Sequence, residues 1–138
     1  SIFIFSVMLA SQLSQRTASE SVRNIQTSFL LEEGVDAVKI LRNTSWSANI
    51  ANLTIGTNYY FNYNGTTWAS SLANVYVYGI FERKFVLNNV YRDANDDIAS
   101  SGTLDAGTKK ATVSVSWLGR SGTTTKDAVF YLTNLFSN

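Results

Sequence analysis

Apolar and polar positions divide the chain into two textures that meet near residue 44. The first nine residues, Ser1 to Leu9, are nearly all apolar, and no charge occurs before Arg16. A spanning helix needs about 20 apolar residues, so this run is too short to cross a bilayer alone. It also lacks the initiating Met, basic n-region and small-residue cleavage site of a secretory signal, and reads as the tail of a longer hydrophobic segment or a processed end. From Ala10 to Asn43 there is no Pro, Gly34 is the one Gly, and helix formers alternate with charges, which predicts a long helix. Apolar residues recur at Val22, Ile25 and Phe29, then at Leu31, Val35 and Val38, with Leu30, Ala37 and Leu41 on an adjoining stripe. That spacing predicts one buried face with a period near 3.6. Glu20 and Arg23, and Asp36 and Lys39, are spaced to pair on a solvated face. A helix from the start to Asn43 would be about 60 Å long at ~1.5 Å per residue.

Beyond Asn43 the pattern changes to short alternating runs separated by Gly, Asn and Thr. Tyr59–Tyr63, Asn64-Gly65 and Thr66–Ala69 predict a hairpin with Asn-Gly as a two-residue turn, because that turn needs positive φ at both central positions. Tyr76–Tyr91 supplies at least one strand. Lys110–Trp117 alternates, with Ala111, Val113, Val115 and Trp117 on one face and Thr112, Ser114 and Ser116 on the other. A Gly-, Ser- and Thr-rich loop over 119–125 leads to a last strand, Lys126–Thr133, with Ala128, Phe130 and Leu132 in alternation. Strands joined by short turns predict an antiparallel meander. The fold class is therefore α+β: a single unit over 1–138, with an N-terminal helix over 1–43 packed on a β-sheet head over 44–138.

The helix is longer than such a head can cover. About 95 residues can bury the second half of the helix and leave the apolar first half in need of a partner, either lipid or the same segment in neighbouring copies.

Composition narrows the function classes. The chain has 138 residues, 45% hydrophobic and 15% charged, which fits one folded domain. A net charge of +1 supplies no field to attract nucleic acid or an anionic surface. The absence of Cys and His removes thiol nucleophiles, imidazole bases and the commonest zinc ligands, so no enzyme activity and no cofactor are expected. Asn43, Asn52 and Asn64 each open an Asn-x-Ser/Thr acceptor pattern, which an Asn- and Thr-rich chain also generates by composition alone.

Two stretches carry a family resemblance. Leu31-Glu-Glu-Gly-Val-Asp-Ala-Val-Lys-Ile-Leu-Arg-Asn-Thr-Ser-Trp46 is similar to the helix end of many bacterial prepilin-type proteins, and Tyr91–Asp97 with Leu104–Trp117 resembles their penultimate hairpin. Together with the helix-then-sheet order, this resembles type IV pilins and the pseudopilins of type II secretion. The resemblance implies a four-stranded antiparallel head and a structural subunit that polymerises into an extracellular filament. Its helix would sit in the inner membrane before the pilus assembly machinery builds identical subunits into a helical polymer. The residues it assigns to the filament core are Ile2, Phe3, Ile4, Phe5, Val7, Met8, Leu9 and Leu13. The chain departs from the family in having no acidic residue before Glu20. Alternatives are a minor pseudopilin or pilin of a secretion or uptake machine, and a surface-anchored carbohydrate-binding module.

Three further groups bear on chemistry. Asp93, Asn95 and Asp97 are spaced like the first ligands of a calcium loop, but Ile98 and Leu104 stand where the loop's Gly and bidentate Glu belong, which favours a solvated turn. Glu32, Glu33 and Asp36 cluster on the helix, yet neighbours at 32 and 33 point about 100° apart, so a solvated helix face outweighs an acid–base pair. Tyr59, Tyr60, Tyr63, Trp68, Tyr76 and Tyr78 could form a stacking platform for sugars or bases, against the commoner role of cross-strand packing.

Overall fold

The computed structural model describes residues 2–135, with side chains described from residue 19 onward. One helix, α1 (Ile2–Thr44), packs on an antiparallel sheet of six strands: β1 (Tyr59–Tyr63), β2 (Trp68–Ser71), β3 (Glu82–Arg92), β4 (Ile98–Ala99), β5 (Thr103–Gly119) and β6 (Gly122–Thr133). The α+β class follows directly. The strand order is β2-β1-β3-β5-β6, with short β4 against the end of β3. This is neither four strands nor a plain meander. After the β1–β2 hairpin, residues 72–80 carry the chain back past β1, so that β3 pairs with the free edge of β1.

The buried face of α1 is Thr27, Leu30, Gly34, Ala37, Val38 and Leu41, at the helical spacing. The expected face at Val22, Ile25 and Phe29 is instead 53%, 70% and 63% exposed, while Leu31 and Val35 sit half-buried at the margin. The sheet presents Phe61, Phe85, Val113, Val115 and Trp117 to the helix, which meets it with Gly34 and Ala37 flanked by Leu30, Val38 and Leu41, and Val22, Ile25 and Phe29 are left on the far side. Thr27 is fully buried because its hydroxyl donates to the Arg23 carbonyl at 2.6 Å, satisfying the polar group within the helix. Gly34 marks the closest approach: a Cβ there would lie 2.8 Å from Val113 Cγ1.

The helix ends in local hydrogen bonding. Thr44 Oγ1 donates to the Ile40 carbonyl, Asn49 Nδ2 donates to the Leu41 carbonyl, and a π-helical turn over Ser47–Ala51 swings Trp46 and Ile50 under the helix into the core. Phe85, Leu87, Ile50 and Leu132 have no exposed surface, and each contributes about 1.5–3 kcal/mol relative to an exposed side chain.

Both terminal strands alternate as the sequence predicts, with Ala111, Val113, Val115, Trp117 and Leu132 buried. Two turns differ. The first hairpin closes on the Tyr63–Trp68 pair, leaving the loop Asn64-Gly65-Thr66-Thr67. Asn64 Oδ1 accepts the N–H groups of Thr66 and Thr67, both at 2.9 Å, so the Asn caps a wider turn and only Gly65 takes positive φ. In the last hairpin Gly119 pairs with Gly122, and Thr123, Thr124 and Thr125 continue the strand as β-branched residues favour.

Candidate functional site

The most conspicuous surface lies on α1. Val22, Ile25 and Phe29 fall within an arc of about 60°, centred about 130° around the axis from the buried face. The segment between β2 and β3 is also apolar and exposed at Leu72, Val75, Tyr76 and Tyr78. Tyr78 joins this surface to the helix: with Ile25, Gln26, Phe29 and Leu30 it lines a groove of about 380 Å³. Tyr78 has φ +54° and Gly79 φ +68°, and the turn is clamped by the Val77 N–H to Phe81 carbonyl bond at 2.8 Å and its reciprocal at 3.0 Å. A bulky residue held in the left-handed region costs about 1 kcal/mol, which the turn's backbone clamp offsets. The Tyr-Gly pair is the sequence signal for this turn.

The described side chains that reach the sheet lie between Arg23, which stacks over Trp117 at 5.8 Å, and Leu41. That stretch spans roughly 27 Å of a helix about 65 Å long. The filament-core residues Ile2, Phe3, Ile4, Phe5, Val7, Met8, Leu9 and Leu13 have side chains outside the described residues. Among the described residues, no helix is long and apolar enough to cross a membrane.

The acidic cluster Glu32, Glu33 and Asp36 of α1 divides by environment. Glu33 Oε1 accepts from Arg83 Nη1 at 2.7 Å, and the same nitrogen donates to the Leu30 carbonyl at 3.2 Å. Arg83 is only 5% exposed and lies over the Phe61 and Trp68 rings, at 5.2 and 5.5 Å. Glu32 and Asp36 are exposed, so no carboxylate pair forms. Arg83 was legible as an inward position, since period-2 alternation sets it between Phe81 and Phe85 on the core face of β3.

The aromatic residues do not form one platform. Tyr59 is buried and stacks on Phe85 at 5.8 Å, Tyr60 faces Lys84 across the β1–β3 pair, and Tyr76 and Tyr78 lie in the 72–80 segment. Only Tyr63 and Trp68 come together at an accessible place, with centroids 4.9 Å apart.

The Asp93 loop folds on itself. Asp93 Oδ1 accepts the N–H groups of Asn95 and Asp97, at 2.9 and 3.0 Å, and Asp96 takes φ +64°. The alternate spacing thus builds an Asx-type turn. Among the described residues, no group of three or more His, Cys, Asp or Glu is gathered to hold a metal ion.

Beside this loop Asp105 organises a break in the β3–β5 register between Asn89 and Val90. Its carboxylate accepts from Arg92 Nε at 2.8 Å, Thr108 Oγ1 at 2.8 Å and the Gly107 N–H at 3.0 Å. The hydrogen bond from Arg92, followed by that from Thr108, holds the Asp105 carboxyl below its ordinary range and raises the Arg92 guanidinium in turn. A hydrogen bond to Glu82 likewise raises Lys84.

Asn43, Asn52 and Asn64 are all exposed. Asn43 Oδ1 accepts from Arg42 Nε, Asn52 caps the π-helical turn and Asn64 caps the first hairpin loop. Compared with known protein families, curated proteins and solved structures, the chain finds no match.

Proposed function

We propose that this chain is a structural subunit of a type IV pilus-like surface filament, in which helices of many copies pack at the centre and the sheets form the outer wall. The observation that carries the reading is the apolar stripe Val22, Ile25 and Phe29 on the helix face turned away from the sheet. Sequence adds the apolar run Ile2 to Leu9 on the same helix, a second apolar stretch that packing of helices from many copies would cover. The resemblance over Leu31–Trp46 and the 104–117 strand points the same way. An assembly in which the stripe of one copy docks on a different surface of the next is head-to-tail, and with a rotation that does not close a ring it propagates as a helix. The clamped, exposed Tyr78 beside the stripe extends that contact from helix to head.

The stripe itself provides the test. Ile25→Asp with Phe29→Asp alters two exposed positions, so the melting of the folded unit should stay within about 0.5 kcal/mol of the parent. Assembly into fibres, followed by sedimentation and negative-stain microscopy, should be lost. Fibres of normal yield from the double variant would refute the assembly surface.

A further inference from the structure

A second concave surface lies on the other side of the helix end, between α1 and the β1–β2 hairpin. Its volume is about 510 Å³, within the ~300–1,000 Å³ of ordinary ligand sites. Glu33 and Asp36 line it from the helix, Phe61, Tyr63 and Trp68 from the hairpin, and Arg83 from β3.

The hairpin builds the aromatic wall by alternation. Phe61 and Tyr63 share a face of β1, Trp68 sits directly across from Tyr63, and burial falls along the strand from Phe61 at 8% exposed to Tyr63 at 53%. The hairpin tip therefore carries a ring pair past the edge of the core. Phe61 meets Trp68 edge-on at 6.0 Å, which fixes the indole, and the Tyr63 hydroxyl donates to the Gly65 carbonyl, which fixes the phenol.

The polar groups are only partly used. Arg83 spends Nη1 on Glu33 and Leu30, but its buried Nε has no hydrogen-bond partner. A guanidinium N–H out of water without an acceptor is costly, and this one belongs to a side chain that lines the groove. On the helix side the exposed Asp36 carboxylate engages no partner among the described residues.

We infer that this groove binds a saccharide, with the Tyr63 and Trp68 rings against a sugar's C–H face, Arg83 donating to a ring or hydroxyl oxygen, and Asp36 accepting from a hydroxyl. Sugars are the class that uses all three features together, since each residue offers an apolar face with donors and acceptors at its edge. A cationic side chain would use the rings and Asp36 but, carrying donors alone, would leave the Arg83 donor without an acceptor. The inference goes beyond the filament reading and stands without it, because every residue it uses comes from one copy.

The test applies the labelled full chain to an array of glucan, galactan and N-acetylhexosamine oligosaccharides, with N-acetyl-arginine amide as a cationic probe. The best glycan is then titrated by ligand-observed NMR. Tyr63→Ala and Asp36→Asn change exposed positions and leave the fold intact, whereas Trp68 also packs on the core and is left in place. The expected result is glycan binding weakened about tenfold or more by each variant and retained by Tyr63→Phe, which keeps the ring face. No glycan signal anywhere on the array overturns the inference. So does binding indifferent to both variants, or a preference for the cationic probe.

Discussion

How closely the helix rides on the sheet can be tested with one methyl group at Gly34. A Cβ built there lies 2.8 Å from Val113 Cγ1 and 3.3 Å from Arg83 Cδ. Carbon pairs rest at about 3.5–4.0 Å, so Gly34→Ala requires the helix or the strand to yield by roughly 1 Å. Val113 cannot turn aside easily: it is fully buried in β5 between β3 and β6, and its branched side chain is restricted at χ1. Overpacking of this kind costs about 1–3 kcal/mol. Replacing Gly by Ala in a helix interior returns up to ~1 kcal/mol, leaving a net loss of about 1–2 kcal/mol. For a chain of this length that is a fall in Tm of roughly 3–10 °C, measurable by circular dichroism with urea titration as a check. The decisive comparison repeats the substitution in a Val113→Ala background. With the γ-methyls gone, Gly34→Ala should become neutral or stabilising, a coupling of about 1–2 kcal/mol. A rise in Tm from Gly34→Ala in the parent chain would refute the close approach.

Two further outcomes follow from the polar contacts. Glu33→Ala strips the counter-charge from a buried guanidinium and should destabilise by about 2–3 kcal/mol in urea unfolding, discounted from a fully buried pair because Glu33 is 40% exposed; Arg83→Met, which removes the buried charge itself, should cost less, and the reverse order would contradict the pairing. Asp105 titrates below its ordinary value of 3.8, so its contribution is present above that pH and is lost as pH falls through the lower folded-state value; Asp105→Asn should flatten the decline in stability below about pH 4, and an unchanged acid limb would remove Asp105 from that role.

The alternating strands were readable because Ala111, Val113, Val115 and Trp117 differ sharply from the Thr and Ser between them, and the sheet buries one face only. The helix was readable in extent, ending at Thr44 against an expected Asn43, since helix formers and the lack of Pro fix its span. Its orientation was readable in part: Leu30, Ala37, Val38 and Leu41 are buried as expected, whereas Val22, Ile25 and Phe29 are exposed. Hydrophobicity weights those three heavily and Gly34 and Thr27 lightly, yet the close approach at Gly34 puts the helix contact on the face that carries the latter. The path of residues 72–80 was equally hidden, because returning across β1 depends on which strand edge is open and not on any local propensity. Of the aromatic set, alternation along β1 separates Tyr59 and Tyr63 from Tyr60. Only the tertiary fold shows that Tyr63 and Trp68 share a groove with Arg83.

On the filament proposal, copies of this chain assemble into a fibre on the cell surface. Negative-stain electron microscopy of material sheared from producing cells, with mass spectrometry of the same fraction, tests it most directly. Thin, uniform fibres in which this chain is a constituent subunit are the expected result. Fibres that lack the chain, or a sheared fraction in which it occurs only as unassembled protein, would contradict it.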